Sequence, residues 1–191
     1  LTTNGSRLAE FAELLVRAGV RRVNVSLDTL DPERFTQLTR RGRLAATLDG
    51  IRAAREAGLA VRINTVAMAG GNDTEFDDLL AWCGEIGADL CLIETMPMGE
   101  TGDSRIARYL PLSDVRADLA RRWTLEDSPH RTGGPARYVP VAETGPRLGF
   151  ITPLSHNFCS TFNRVPLPCT GRRETWRGAE VGAGFAGAVR G

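Results

Sequence analysis

The sequence predicts an α/β protein: βα units around a parallel sheet, on the plan of a (β/α) barrel, with a small subdomain appended. Three observations predict it. β-rich runs begin near residues 21, 59 and 88 with helical patterns between them, and strands that alternate with helices build parallel sheets. Polar side chains collect where the runs end: Thr2, Thr3 and Asn4, then Asn24, Ser26 and Asp28, then Asn64 and Thr65, then Glu94 and Met96. In a barrel those ends share the face on which sites are built. From about Leu110 the βα rhythm gives way to Gly, Pro and Arg, which marks the subdomain.

"LTTNG" reads as the tail of a strand. The spacing of Leu8, Phe11, Leu14 and Leu15 predicts a helix over 8–17 with these four on one face, and Gly19 stands where a C′ glycine would end it. "VRRVNVSLD" alternates Val23, Val25 and Leu27 with the two-residue period of a strand. Asp31 and Pro32 then give an N-cap followed by a first-turn proline. A long helix over about 44–57 ends at Gly58, before the strand "LAVRINTVAM". "GGNDTEFDDLLAWCGEIG" is loop and then helix, capped by Asp73 or Thr74 and ending near Gly87, and "ADLCLIETMPMG" is the next strand. In "LPLSDVRADLARRW" Ser113 caps a further helix, with short β-like pieces at 137–142 and 147–151. These boundaries give βα units over 1–109, a subdomain over 110–171 and an irregular, poorly ordered tail over 172–191.

Composition narrows the classes. The 191 residues carry 42% apolar and 25% charged side chains and a net charge of +1, which fits a globular chain and offers no basic face for nucleic acid. No apolar run approaches the ~20 residues that cross a bilayer, and the opening lacks the pattern of an export signal. The reading is a cytoplasmic protein with no membrane and no nucleic-acid partner. Four cysteines, at 83, 91, 159 and 169, prefer no disulfide pattern. There is no lysine in the chain, which excludes an aldolase working through a Schiff base.

Taken together, "LTTNG", "VNVSLDTLDPERF", "VRINTV", "IETMPMG", "GPARY" and "FITPLSHNFC…NR" resemble, in order and spacing, the GTP 3′,8-cyclase (MoaA) family of radical S-adenosylmethionine enzymes. The resemblance covers residues 1 to about 171. It implies that residues 1–109 are a partial barrel, the C-terminal part of an incomplete (β/α)₆ radical S-adenosylmethionine barrel of TIM type, and it implies cyclisation of GTP by a 5′-deoxyadenosyl radical in molybdenum cofactor biosynthesis. The implied cofactors are S-adenosylmethionine and two [4Fe–4S] clusters, and most of the cluster ligands have no counterpart here. The first two strands and the radical-generating cysteines would lie upstream of Leu1, so the chain is expected to be a fragment without cyclase activity alone. The alternative is a non-catalytic GTP- or partner-binding remnant of the same family.

Carried over by position, Thr2, Arg62 and Arg164 fall where the family contacts GTP, and Ser26 and Met96 where it contacts S-adenosylmethionine. Each has a plainer reading: Thr2 could cap a helix, Ser26 could close a strand end, Met96 could fill the core. Arg62 replaces the family's usual lysine and keeps the cation; on its strand it alternates with Val61 and Ile63, so it faces either the lumen or the helix layer and needs an anion in both. Glu94 could pair with an interior cation. In "FCSTFNRVPLPCTG", Cys159 holds one cluster-ligand position of the resemblance. Phe162 and Trp176 stand at the other two, Pro166 replaces a second arginine, and Cys169 falls at a non-ligand position. The tail after Gly171 departs from the family pattern, as a shifted reading frame would make it. Implied partners are GTP and the downstream enzyme that forms cyclic pyranopterin, and an uncovered strand edge at "LTTN" allows a homodimer.

Overall fold

A computed structural model describes residues 1–40, 42–95, 108–128, 135–153, 172–173 and 183–184. The elements follow in the order β1 Thr2–Thr3, α1 Leu8–Arg17, β2 Arg22–Ser26, α2 Pro32–Thr39, α3 Leu44–Glu56, β3 Ala60–Ala67, α4 Phe76–Glu85, β4 Asp89–Glu94, α5 Leu112–Leu119, β5 Arg137–Pro140, β6 Arg147–Ile151, β7 Arg172–Arg173 and β8 Ala183–Gly184.

Local chemistry explains several of the helix ends. Gly19, Gly58 and Gly87 all have positive φ just beyond α1, α3 and α4, the backbone that stops a helix and that glycine adopts without strain. The Asp31 carboxylate accepts from Arg34 N at 2.8 Å ahead of Pro32, which caps α2 as expected. Two expected caps are corrected. α4 is preceded by Glu75 rather than Asp73 or Thr74, because the Asp73 carboxylate accepts from Gly70 N at 2.9 Å and so closes the turn before the helix. α5 is preceded by Pro111, and Ser113 lies inside the helix with its hydroxyl on Asp114.

Six strands form one mixed sheet in the order β1-β2-β3-β4-β6-β5, with β1 at one edge. β1, β2, β3, β4 and β6 run parallel and β5 runs antiparallel to β6. β6 lies beside β4, so the described part of 110–153 continues the same sheet. Alternation sorts the strands into two faces. Val23, Val25, Leu27, Val61, Ile63, Leu90, Leu92, Leu148 and Phe150 point to one side and join buried residues of all five described helices in one apolar cluster. That face is the core, and each large aliphatic side chain buried there contributes about 1.5–3 kcal/mol.

α1 and α3 pack closely through Gly50, where an added Cβ would stand 2.4 Å from the Gly5 carbonyl oxygen. The buried face of α1 differs from the expected one. Leu8 and Ala12 are buried and Leu15 partly so, whereas Phe11 and Leu14 are 37% and 51% exposed. The small Ala12 lets the helix sit low on α3, which turns Phe11 and Leu14 outward; Arg7 covers the Phe11 ring at 4.8 Å.

In the tail expected to be irregular, β7 and β8 pair antiparallel over two residues each. Such a ladder rests on backbone hydrogen bonds and leaves no side-chain period to read. Among the described residues, no helix is long and apolar enough to cross a membrane.

Candidate functional site

The second face of the sheet carries the polar residues. Asn24 is the register partner of both Thr2 and Arg62, and Arg62 is that of Asp89, so these four form one row across β1 to β4. The next row on the same face, two residues further along, runs Ser26, Asn64, Cys91, Gly149 and Tyr138. No buried residue of a described helix joins the small cluster on this side, formed by Cys91, Ala136 and Tyr138.

Thr2 does not cap α1. The residue preceding that helix is Arg7, which makes no side-chain cap, and the Thr2 hydroxyl instead accepts from Asn24 Nδ2 at 3.4 Å. Thr2 and Ser26 are exposed at the ends of their strands. The Asn24 Oδ1 atom is buried and has no hydrogen-bond partner among the described residues.

Arg62 faces this polar side, opposite to Val61 and Ile63, so of the two faces left open by alternation it takes the one away from the apolar helix-covered cluster. It is 7% exposed, its Nε finds no partner, and no carboxylate of the described residues makes an ion pair with it. Asp89, its register partner, is taken by Arg147, whose backbone N donates to Oδ1 at 3.1 Å and whose Nε lies 3.6 Å away. The guanidinium lies instead over the Tyr138 ring, 4.7 Å from its centroid.

The strand ends are tied down by residues of that polar set together with one, Asn72, that sequence reasoning passed over. Asn72 in "GGN" is fully buried: its Oδ1 accepts from Met68 N at 3.0 Å, and its Nδ2 donates to the Asp28 carbonyl at 2.7 Å and the Val66 carbonyl at 2.9 Å. The Asp28 carboxylate accepts from Val66 N at 2.8 Å; burial pushes this carboxyl up from its ordinary value and that hydrogen bond pulls it partly back. Thr65 points into the core and donates to the Leu27 carbonyl at 2.7 Å, which makes it a structural residue. Glu94 also lies on the helix side, where it accepts from Leu112 N at 3.3 Å and Tyr109 Oη at 3.4 Å, bonds that hold the start of α5.

Met96, Cys159, Phe162, Arg164, Pro166, Cys169 and Trp176 lie outside the described residues. Cys83 and Cys91 are free and buried. Burial pushes the Cys91 thiol up to about 12 and the Cys83 thiol higher still, so both are protonated at neutral pH. Among the described residues no group of three His, Cys, Asp or Glu side chains could hold a metal ion. The donor set does not fit a cluster held by three thiolates, since two of the four cysteines are buried, Cys91 on β4 and Cys83 on α4, leaving Cys159 and Cys169 to supply sulfur.

Comparison with known proteins places these rows in context. The family described as Radical SAM superfamily matches residues 1–83, and Molybdenum Cofactor Synthesis C matches residues 88–176. The chain is 57% identical to a GTP 3′,8-cyclase of Rhizobium meliloti (strain 1021) over 190 residues, all of this chain and 54% of the relative. It is 60% identical to a GTP 3′,8-cyclase of Brucella canis over 171 residues, 90% of this chain and 50% of the relative. A GTP 3′,8-cyclase of Rhodopseudomonas palustris (strain TIE-1) is 58% identical over 180 residues, 94% of this chain and 52% of the relative. The chain spans about half the length of the curated relatives it matches.

Proposed function

This chain belongs to the GTP 3′,8-cyclase family of the radical S-adenosylmethionine superfamily, and from that premise we propose that its polar sheet face holds GTP for cyclisation in molybdenum cofactor biosynthesis. The observation that carries the reading is Arg62. A buried cation without a paired carboxylate among the described residues is costly unless an anion arrives to meet it, and its relatives act on a nucleotide triphosphate. Thr2 and Arg62 flank Asn24 in one row, roughly 10 Å apart at two strand spacings, which suits a ribose or base at one end and phosphates at the other. The planar guanidinium can give two parallel hydrogen bonds to a phosphate, which a lysine cannot.

In this reading Arg164 adds a second cation to GTP, while Ser26 and Met96 contact S-adenosylmethionine. Residues 1–109 are a partial radical S-adenosylmethionine barrel, with the polar face as its lumen, and 110–171 are a C-terminal subdomain whose strands β6 and β5 extend the same sheet. The protein works in the cytoplasm and hands its product to the enzyme that forms cyclic pyranopterin, and pairing through the β1 edge gives a homodimer. S-adenosylmethionine and a [4Fe–4S] cluster supply the radical in this family. Cys159 would be one ligand of a second cluster, but the thiols present do not complete its set, and no step is derived through it.

That shortfall favours a second reading, a GTP-binding member without turnover, because binding at Thr2 and Arg62 needs no cluster. Calorimetric titration of the chain with GTP tests both. Binding that weakens about tenfold or more on Arg62→Ala is expected, and absence of any heat with GTP refutes nucleotide recognition by this face.

A further inference from the structure

Arg62 begins on β3 and Tyr138 on β5, three strand spacings apart across β4 and β6, or about 14 Å. Their side chains nevertheless meet, the guanidinium 4.7 Å from the ring centroid. Both must therefore lean over the intervening row, and that row is cut low to let them. It offers Cys91, a small side chain, and Gly149, which has none. A Cβ on Gly149 would stand 2.6 Å from Tyr138 Cε1, 3.0 Å from Cδ1 and 3.3 Å from the Cys91 sulfur. The glycine has a negative φ, so what requires it is the ring resting on its backbone. Tyr138 is itself 2% exposed, and this packing fixes its plane.

We infer that Tyr138 is the positioning residue of the Arg62 cation: its ring, seated on Gly149, holds the guanidinium flat so that its in-plane N–H donors can meet the phosphate oxygens of the ligand. The inference rests on the proposed recognition of a nucleotide triphosphate by Arg62. An arginine free to rotate loses conformational entropy when it grips a phosphate, and a stacked arginine has lost it in advance. The ring also offers its negative face to a charge that has no described carboxylate partner. Only one face of the guanidinium is used in this way, and its in-plane donors stay available for an anion.

The test uses the full chain with two probes, GTP and inorganic tripolyphosphate, and reads dissociation constants by calorimetry. Tyr138→Phe keeps the ring and is expected to bind both probes within about twofold of the parent, and Tyr138→Leu to bind about two- to thirty-fold more weakly. Because Tyr138→Leu could also fail to fold, the same contact is graded by Tyr138→Phe carrying zero, one or three ring fluorines, which drains the negative face at nearly constant shape. Affinity for both probes is expected to fall with each step, and the series to be flat in an Arg62→Ala background. A merely structural tyrosine would show no dependence on fluorine. A flat series in a chain whose GTP binding is lost on Arg62→Ala overturns the inference and leaves the nucleotide reading standing. A graded series with tripolyphosphate and no binding of GTP upholds the inference and overturns that reading, and binding of neither probe overturns both.

Discussion

Replacing Asn72 with alanine removes three hydrogen bonds at once from the strand ends that carry the polar face. Its amide accepts from Met68 N and donates to the carbonyls of Asp28 and Val66 at 3.0, 2.7 and 2.9 Å, in a side chain with no exposure to solvent. Each bond contributes about 1 kcal/mol net, and the three backbone groups left without partners add to the loss, so the expected cost is about 3–5 kcal/mol. With a urea slope of about 2.5 kcal/mol/M, the midpoint should fall by at least about 1.2 M at an unchanged slope. Asn72→Asp should cost as much, since it keeps the shape but turns two donors into acceptors facing carbonyl oxygens. Equilibrium urea denaturation followed by circular dichroism gives both numbers. A loss below about 1 kcal/mol for Asn72→Ala would mean that the three backbone groups find other partners, and the reasoning about these strand ends would be refuted.

Three further outcomes follow from the packing and the titrating groups. Gly50→Ala should lower stability by about 1–3 kcal/mol in thermal melts, because the new Cβ meets the Gly5 carbonyl at 2.4 Å, and this outweighs the roughly 1 kcal/mol that alanine gains over glycine within a helix. Asp77 accepts from Arg122 Nε at 2.9 Å, Arg122 Nη2 at 2.8 Å and Trp123 Nε1 at 2.7 Å, and the arginine holds its carboxyl below the ordinary value. Its folded value being depressed, the contribution is complete above the ordinary carboxylate range and lost as pH falls through the folded value; at this half-exposed site it is worth about 1 kcal/mol, and Asp77→Asn should flatten the melting temperature below about pH 4. Cys91, with its thiol near 12, should resist alkylation at pH 8 in the folded chain and react once urea unfolds it, as peptide mass spectrometry would report.

How much of this was legible depends on the range over which each feature is decided. Asp31 and Pro32 announce α2 because a cap acts within three residues, and Gly19 and Gly58 announce helix ends for the same reason. The phase of α1 was misjudged. Period alone put Phe11 and Leu14 inward, but the contact of Gly50 with Gly5 decides which side of the helix meets α3, and that contact spans 45 residues of chain. At the candidate site, the polar strand ends were visible as a set, and alternation correctly set Arg62 apart from Val61 and Ile63. Thr65 and Glu94 were grouped with that set although both lie on the helix side, because polarity does not reveal which face a residue takes near a strand end. Tyr138 and Gly149 gave no signal as partners of Arg62, since their juxtaposition needs the order β3-β4-β6-β5, which is a property of the assembled sheet. Asn72 sat unremarked in a glycine-rich loop whose hydrogen bonds exist only once β2 and β3 are paired.

The central claim is that Arg62, buried and with no carboxylate partner among the described residues, awaits a polyphosphate. The most direct measurement is the affinity of the chain for GTP, GDP, GMP and guanosine in turn, beside the same series for Arg62→Ala. The account predicts that affinity falls as phosphates are removed from the parent's ligand and that Arg62→Ala flattens the series. Guanosine bound as tightly as GTP, or an unchanged series in Arg62→Ala, would contradict it.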